Sequence, residues 1–125
     1  MRKFMTVVMA SILLCVGGVA IADPVSEVWT CELKEGKTAE DAQAINSKWL
    51  AWARKVAGSD EVTSSLATAI VGDTGFLWVD TFPDLVTWAK VNEATSSEEY
   101  APLGEAFNEL QTCSGNRLWS SAATK

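Results

Sequence analysis

The sequence predicts an α+β domain: a four-stranded antiparallel sheet, strand order 4-1-3-2, with two helical regions on one face. Three observations lead there. Strand-like and helix-like periodicities follow one another as βαββαβ. Glycine-rich or capping sequences separate most of these segments. Two cysteines, Cys31 and Cys113, fall at strand ends that this topology brings side by side.

Each element has its own local signal. Ser26 to Leu33 is rich in β-formers and reads as the first strand, closed by a turn at Glu35-Gly36-Lys37. Thr38 then opens a helix, and Asp41 three residues on completes an approximate capping box. Ala42, Ile45, Trp49, Ala53 and Val56 recur at helical spacing with Trp52 beside them, and Gly58-Ser59-Asp60 ends the run. Val62 to Val71 reads as a second strand starting near Ser64. Gly72 to Gly75 is a turn, and Phe76 to Phe82 is the third strand. Pro83-Asp84 starts a second helical region carrying Leu85, Trp88, Ala89 and Val91. It breaks near Ala94 to Glu98 and resumes through Tyr100, Leu103, Ala106, Phe107 and Leu110. Thr112 to Ser120 is the fourth strand.

The first 22 residues are expected to be absent from the working protein. Arg2 and Lys3 precede an uncharged run from Phe4 that ends in Ala20-Ile21-Ala22, the pattern of a secretory signal peptide cleaved before Asp23. An uncleaved membrane anchor is the competing reading, but two glycines and the Ala-x-Ala end favour cleavage. A lipid-modified Cys15 would need a small residue before it, and Leu14 is not small. The expectation is one domain, Asp23 to Lys125, in the periplasm or secreted. Losing Arg2 and Lys3 leaves 8 basic residues against 16 acidic ones. An acidic surface without a basic cluster argues against nucleic acid and against an anionic membrane as partners.

Export places Cys31 and Cys113 where thiols oxidise, and the topology makes them neighbours, so a disulfide is expected. An unbroken ladder built outward from that pair sets Glu27 opposite Arg117 as an ion pair. It also sets Trp29 over Gly115 and Val25 opposite Trp119.

The chain has no histidine. It lacks the usual general base, zinc ligand and haem ligand, so neither metal nor cofactor is expected. Six tryptophans are many for so small a chain. They either fill the core or line a pocket for a flat or apolar ligand. The candidate acids are Asp80 on strand three and Glu27 or Glu32 on strand one; on the covered face of the sheet such a group could act as a base. Arg117 is a candidate carboxylate partner. No nucleophile elbow or calcium loop occurs.

The βαββαβ order with a split second helical region resembles the dimeric α/β-barrel superfamily, built on the ferredoxin-like fold. That superfamily includes cofactor-free antibiotic-biosynthesis-type monooxygenases and haem-degrading monooxygenases. The resemblance covers Asp23 to Lys125 and rests on element order and size; Asn46 to Trp52 and Cys113 to Leu118 look like signatures of an uncharacterised exported group. It implies a homodimer paired through the open sheet face, with a cleft between sheet and helices in each protomer. A one-sided sheet would also leave large apolar groups, Trp29 and Leu33 or the alternate set, in need of cover. With no histidine, the haem activities of the family do not carry over.

Three functions follow as expectations. The first is an exported barrel binding a small apolar or aromatic ligand in a cleft lined by Trp49, Trp78 and Trp29, with Asp80 and Arg117 as polar groups. The second is a cofactor-independent monooxygenase-like enzyme. The third is a protein–protein interaction module.

Overall fold

The computed structural model describes residues 22–72 and 75–124, so the expected leader lies outside the described residues except for Ala22. Among the described residues, seven elements run in order: β1 (Val25–Leu33), α1 (Ala39–Ala57), β2 (Thr63–Thr68), β3 (Phe76–Phe82), α2 (Leu85–Ala94), α3 (Ala101–Leu110) and β4 (Gln111–Ser120). The sheet has the order β2-β3-β1-β4 with antiparallel pairings, which is the expected 4-1-3-2. The split in the second helical region is complete and yields α2 and α3.

Local chemistry explains the boundaries. Thr38 Oγ1 accepts from the backbone N–H of Asp41 at 3.2 Å, and Asp41 Oδ2 accepts from the backbone N–H of Thr38 at 2.9 Å. These bonds satisfy donors that the first turn of α1 leaves free, and donation to Oδ2 from the Thr38 backbone N–H, then from its hydroxyl, holds the Asp41 carboxyl below its ordinary pKa. At the other end Gly58 takes φ 68°, a left-handed conformation, and its N–H closes on the Arg54 carbonyl at 2.9 Å. Asp84 caps α2 by accepting from the backbone N–H of Thr87 at 2.6 Å. β2 is shorter than its sequence suggests. Its last residue, Thr68, pairs with Phe76, the first residue of β3, so β3 offers no backbone to extend the ladder past Thr68. Ile70 and Val71 are fully exposed.

Alternation on the strands sorts the side chains. Val25, Glu27, Trp29, Cys31 and Leu33 on β1 share a face with Phe76, Trp78, Asp80 and Phe82 on β3, and the helices cover it. Two apolar clusters result. Val25, Phe82 and Val62 pack with Trp49, Trp52, Ala53 and Val91; Cys31, Phe76 and Trp78 pack with Ala42 and Leu110. Trp29 and Leu33 are therefore on the covered face. The open face carries the alternate set, Val28, Leu77, Val79 and Trp119.

The Cys31–Cys113 disulfide is present, but the ladder built on it is broken. Cys31 pairs with Cys113 while Thr30 pairs with Gly115, so Ser114 is an extra residue in β4, a bulge. Beyond it every partner slips by one. Glu27 faces Leu118, Trp29 faces Asn116, and Arg117 faces Val28. The expected Glu27–Arg117 ion pair and the Trp29–Gly115 and Val25–Trp119 pairs do not form. Because side chains alternate, a one-residue slip moves Arg117 to the open face.

Candidate functional site

A cavity of about 500 Å³ lies between the covered face of the sheet and the helices. Its floor comes from strands: Glu27 and Trp29 on β1, Trp78, Asp80 and Phe82 on β3, and Gln111 and Cys113 on β4. Helical residues close it, namely Asn46 and Trp49 from α1, Trp88 and Val91 from α2, and Gly104 and Phe107 from α3, with Tyr100 just ahead of α3. Asn92, Thr95 and Asn108 are exposed as well as lining the cavity, so they form its polar mouth.

Of the expected site residues, Trp29, Trp49, Trp78 and Asp80 come together on these walls. Arg117 does not; the bulge has placed it on the other side of the sheet. Glu32 is exposed and also elsewhere. Glu27 joins the site instead. Among the described residues, the lining contains two acids and neither lysine nor arginine.

The two acids face one another. Glu27 and Asp80 are directly paired positions on β1 and β3, on the covered face, and both are over nine-tenths buried. Glu27 Oε1 accepts from Asn116 Nδ2 at 2.6 Å, and its Oε2 accepts from Trp88 Nε1 at 3.2 Å. Asp80 Oδ1 accepts from the Ser64 hydroxyl. Ser64 in turn accepts from Asn46 Nδ2 at 2.9 Å, tying β2, β3 and α1 together. Asp80 Oδ2 makes no hydrogen bond among the described residues.

This environment changes the chemistry of Asp80. Burial disfavours its charged form, the Ser64 hydroxyl partly offsets that, and the nearby Glu27 raises the pKa further, to about 7. The carboxyl can therefore give or take a proton near neutral pH. Tyr100 is also held above its ordinary pKa, first by burial and then by Asp80 and Glu27. Its ring lies 4.8 Å from that of Trp52.

The aromatic walls are fixed by their own contacts. Trp78 Nε1 donates to Gln111 Oε1 at 2.8 Å, and its ring meets Phe76 and Phe107 edge to face, with centroids 5.4 and 6.3 Å away. Trp49 and Trp78 are at once core residues and cavity walls. Among the described residues, no group of three His, Cys, Asp or Glu side chains is placed to hold a metal ion.

Sequence reasoning missed Trp88, Asn116, Ser64 and Tyr100. Trp88 looked like one member of an apolar helix face. Asn116 was misplaced by the assumed unbroken ladder; the Ser114-Gly115 step was the available sign of a bulge.

No protein-family model and no curated protein matches the chain. Solved structures do match in fold. SnoaB, a cofactor-independent oxygenase from Streptomyces nogalater, is 13% identical; the match covers 82% of this chain and 97% of that one, with a TM-score of 0.61. A NIPSNAP-like domain protein from Burkholderia xenovorans is 14% identical, over 82% of this chain and 89% of that one, with a TM-score of 0.59. A conserved protein of unknown function from Bacteroides thetaiotaomicron is 10% identical, over 79% and 98%, with a TM-score of 0.56. The chain has the ferredoxin-like fold that it shares with these proteins, and at such identities the likeness extends to the fold alone.

Proposed function

We propose that the protein binds a small, largely aromatic molecule in the cavity between sheet and helices. The observation that carries this reading is the convergence of four tryptophans and two buried carboxylates on one opening of about 500 Å³, the size of a small-molecule site. Aromatic walls stack a flat ligand, and the Glu27–Asp80 pair accepts hydrogen bonds from its polar end. Titrating the protein with 2-phenylethanol while following tryptophan emission tests it. Saturable quenching or blue shift is expected; unchanged emission up to millimolar ligand overturns it.

A second reading is catalytic. A carboxyl that exchanges a proton near neutral pH, facing an aromatic cavity, can abstract a proton from a bound substrate without any cofactor. SnoaB, of the same fold, is a cofactor-independent oxygenase. The binding site is the same in both readings; chemical conversion of the bound molecule, followed by mass spectrometry, separates them.

Two further features belong to the same reading. A second copy covers the open sheet face, where Trp119 is 53% and Leu77 36% exposed. The chain is exported, in keeping with the sequence of its first 22 residues and with the Cys31–Cys113 bond.

A further inference from the structure

We propose that the ligand of this cavity is an organic cation, an aromatic or alkyl amine in its ammonium form, held between the Glu27–Asp80 pair and the surrounding rings. The inference rests on the binding reading above and narrows it to one chemical class.

The two acids of the cavity have no basic partner in its lining among the described residues. Two carboxyls face one another across adjacent strands, each over nine-tenths buried. A buried acid is ordinarily matched by a basic side chain or stays neutral. Here no lysine or arginine lines the cavity among the described residues, and the bulge at Ser114 directs Arg117 away from Glu27. The partners that are present are neutral donors: Asn116 and Trp88 on Glu27, and Ser64 on Asp80. Asp80 Oδ2 is left without a hydrogen bond among the described residues, in a side chain that lines the cavity.

The walls suit a cation as well. Trp29, Trp49, Trp78, Trp88, Tyr100 and Phe107 surround the acids. Ring faces attract cations, more strongly when water is displaced. An anionic ligand would meet only repulsion here, and a neutral one would leave Asp80 holding its proton, whereas an ammonium pairs with its ionised form. The lack of a basic side chain in the lining among the described residues selects a positive group, and the rings and the Asp80 oxygen that makes no hydrogen bond there can both receive one.

Proton linkage gives this site a signature. The groups facing Asp80 are Glu27 from β1, Ser64 from β2, Asn46 from α1 and Tyr100 ahead of α3, none of them cationic. An ammonium stabilises the ionised form of Asp80, whose pKa in the free protein is raised to about 7. Binding therefore expels a proton from Asp80 and strengthens as pH rises. If only the ionised form binds, its fraction grows roughly tenfold between pH 6 and 8, and affinity rises with it. The amine itself stays protonated over this window.

The test compares 2-phenylethylamine with 2-phenylethanol by calorimetry at pH 6, 7 and 8, in buffers of different ionisation enthalpy. The amine is expected to bind at least tenfold more tightly at pH 8. Its affinity should rise about tenfold from pH 6 to 8, with release of roughly half a proton at pH 7. Glu27→Gln and Asp80→Asn should each erase most of that advantage and flatten the pH dependence of amine affinity, while circular dichroism spectra that match the parent show that the variants fold. Equal binding of amine and alcohol overturns the cation assignment and leaves the aromatic-ligand reading standing. Absence of binding by both overturns both.

Discussion

Glu27 and Asp80 stand directly opposite one another on β1 and β3, buried beneath the helices, with no lysine or arginine in the cavity lining among the described residues. Two like-charged groups in this setting are unfavourable for folding and useful for binding. The sheet register puts them on one face, and neutral donors orient them. The cavity above gives them access to a ligand.

The pair should make stability fall as pH rises. Burial raises the Asp80 pKa from 3.8 to about 7, so the folded state holds a proton that the unfolded chain releases between those values. The penalty is absent near pH 4, grows through the interval and is complete above pH 7. About three pKa units correspond to roughly 4 kcal/mol. Asp80→Asn, which stays neutral, should raise the melting temperature by several degrees at pH 8 and change it little at pH 4. Thermal unfolding at both pH values checks this, and an equal effect at both would contradict it.

Removing the disulfide should cost much of the domain's stability. Cys31 and Cys113 are 82 residues apart in sequence, and closing a loop of that length is worth about 4 kcal/mol in the chain-entropy picture. The double variant Cys31→Ala, Cys113→Ala should lose stability by that order in a urea titration. Cys113 also lines the cavity beside the bulge, so ligand affinity should drop in the same variant.

Gly104 offers a way to fill the cavity without removing any wall. It lies on α3 and lines the cavity, and a Cβ added there would sit 3.3 Å from Tyr100 Cε1. Gly104→Leu gains roughly 1 kcal/mol of helix propensity, offset by displacement of the Tyr100 ring. The expected outcome is stability within about 1–2 kcal/mol of the parent in urea, with ligand affinity lowered tenfold or more by calorimetry.

The open face should be the contact between two copies. Trp119 and Val79 lie on it, away from the cavity. Val79→Asp with Trp119→Glu should convert a dimer into a monomer in sedimentation equilibrium while leaving the circular dichroism spectrum unchanged. A parent protein that sediments as a monomer would remove this part of the account.

The topology was legible in the sequence because each element carries local chemistry: the Thr38–Asp41 capping box, Gly58 ending α1, and the β-rich run from Phe76 to Phe82. The disulfide was legible because that topology left Cys31 one neighbour. What failed was long-range. A single bulged residue, Ser114, moved Arg117 to the opposite face of the sheet and gave Glu27 to Asn116 instead. β2 stopped at Thr68 because its partner strand begins at Phe76, a pairing limit that Ile70 and Val71 do not reveal. Trp49 was legible from helix periodicity and Trp78 from its place in the middle of the third strand, but the sequence left open which face of β1 carries Trp29, and the pairing with β3 decides it. Trp88 and Tyr100 were not legible, because their roles depend on how α2 and α3 lie over the sheet.

The most direct measurement is a carbon-13 NMR titration of the Asp80 carboxyl, free and with 2-phenylethylamine. The account predicts a free-protein pKa near 7 and a fall of a unit or more when the amine is bound. A carboxyl that titrates near 4 in the free protein and does not respond to the amine would contradict it.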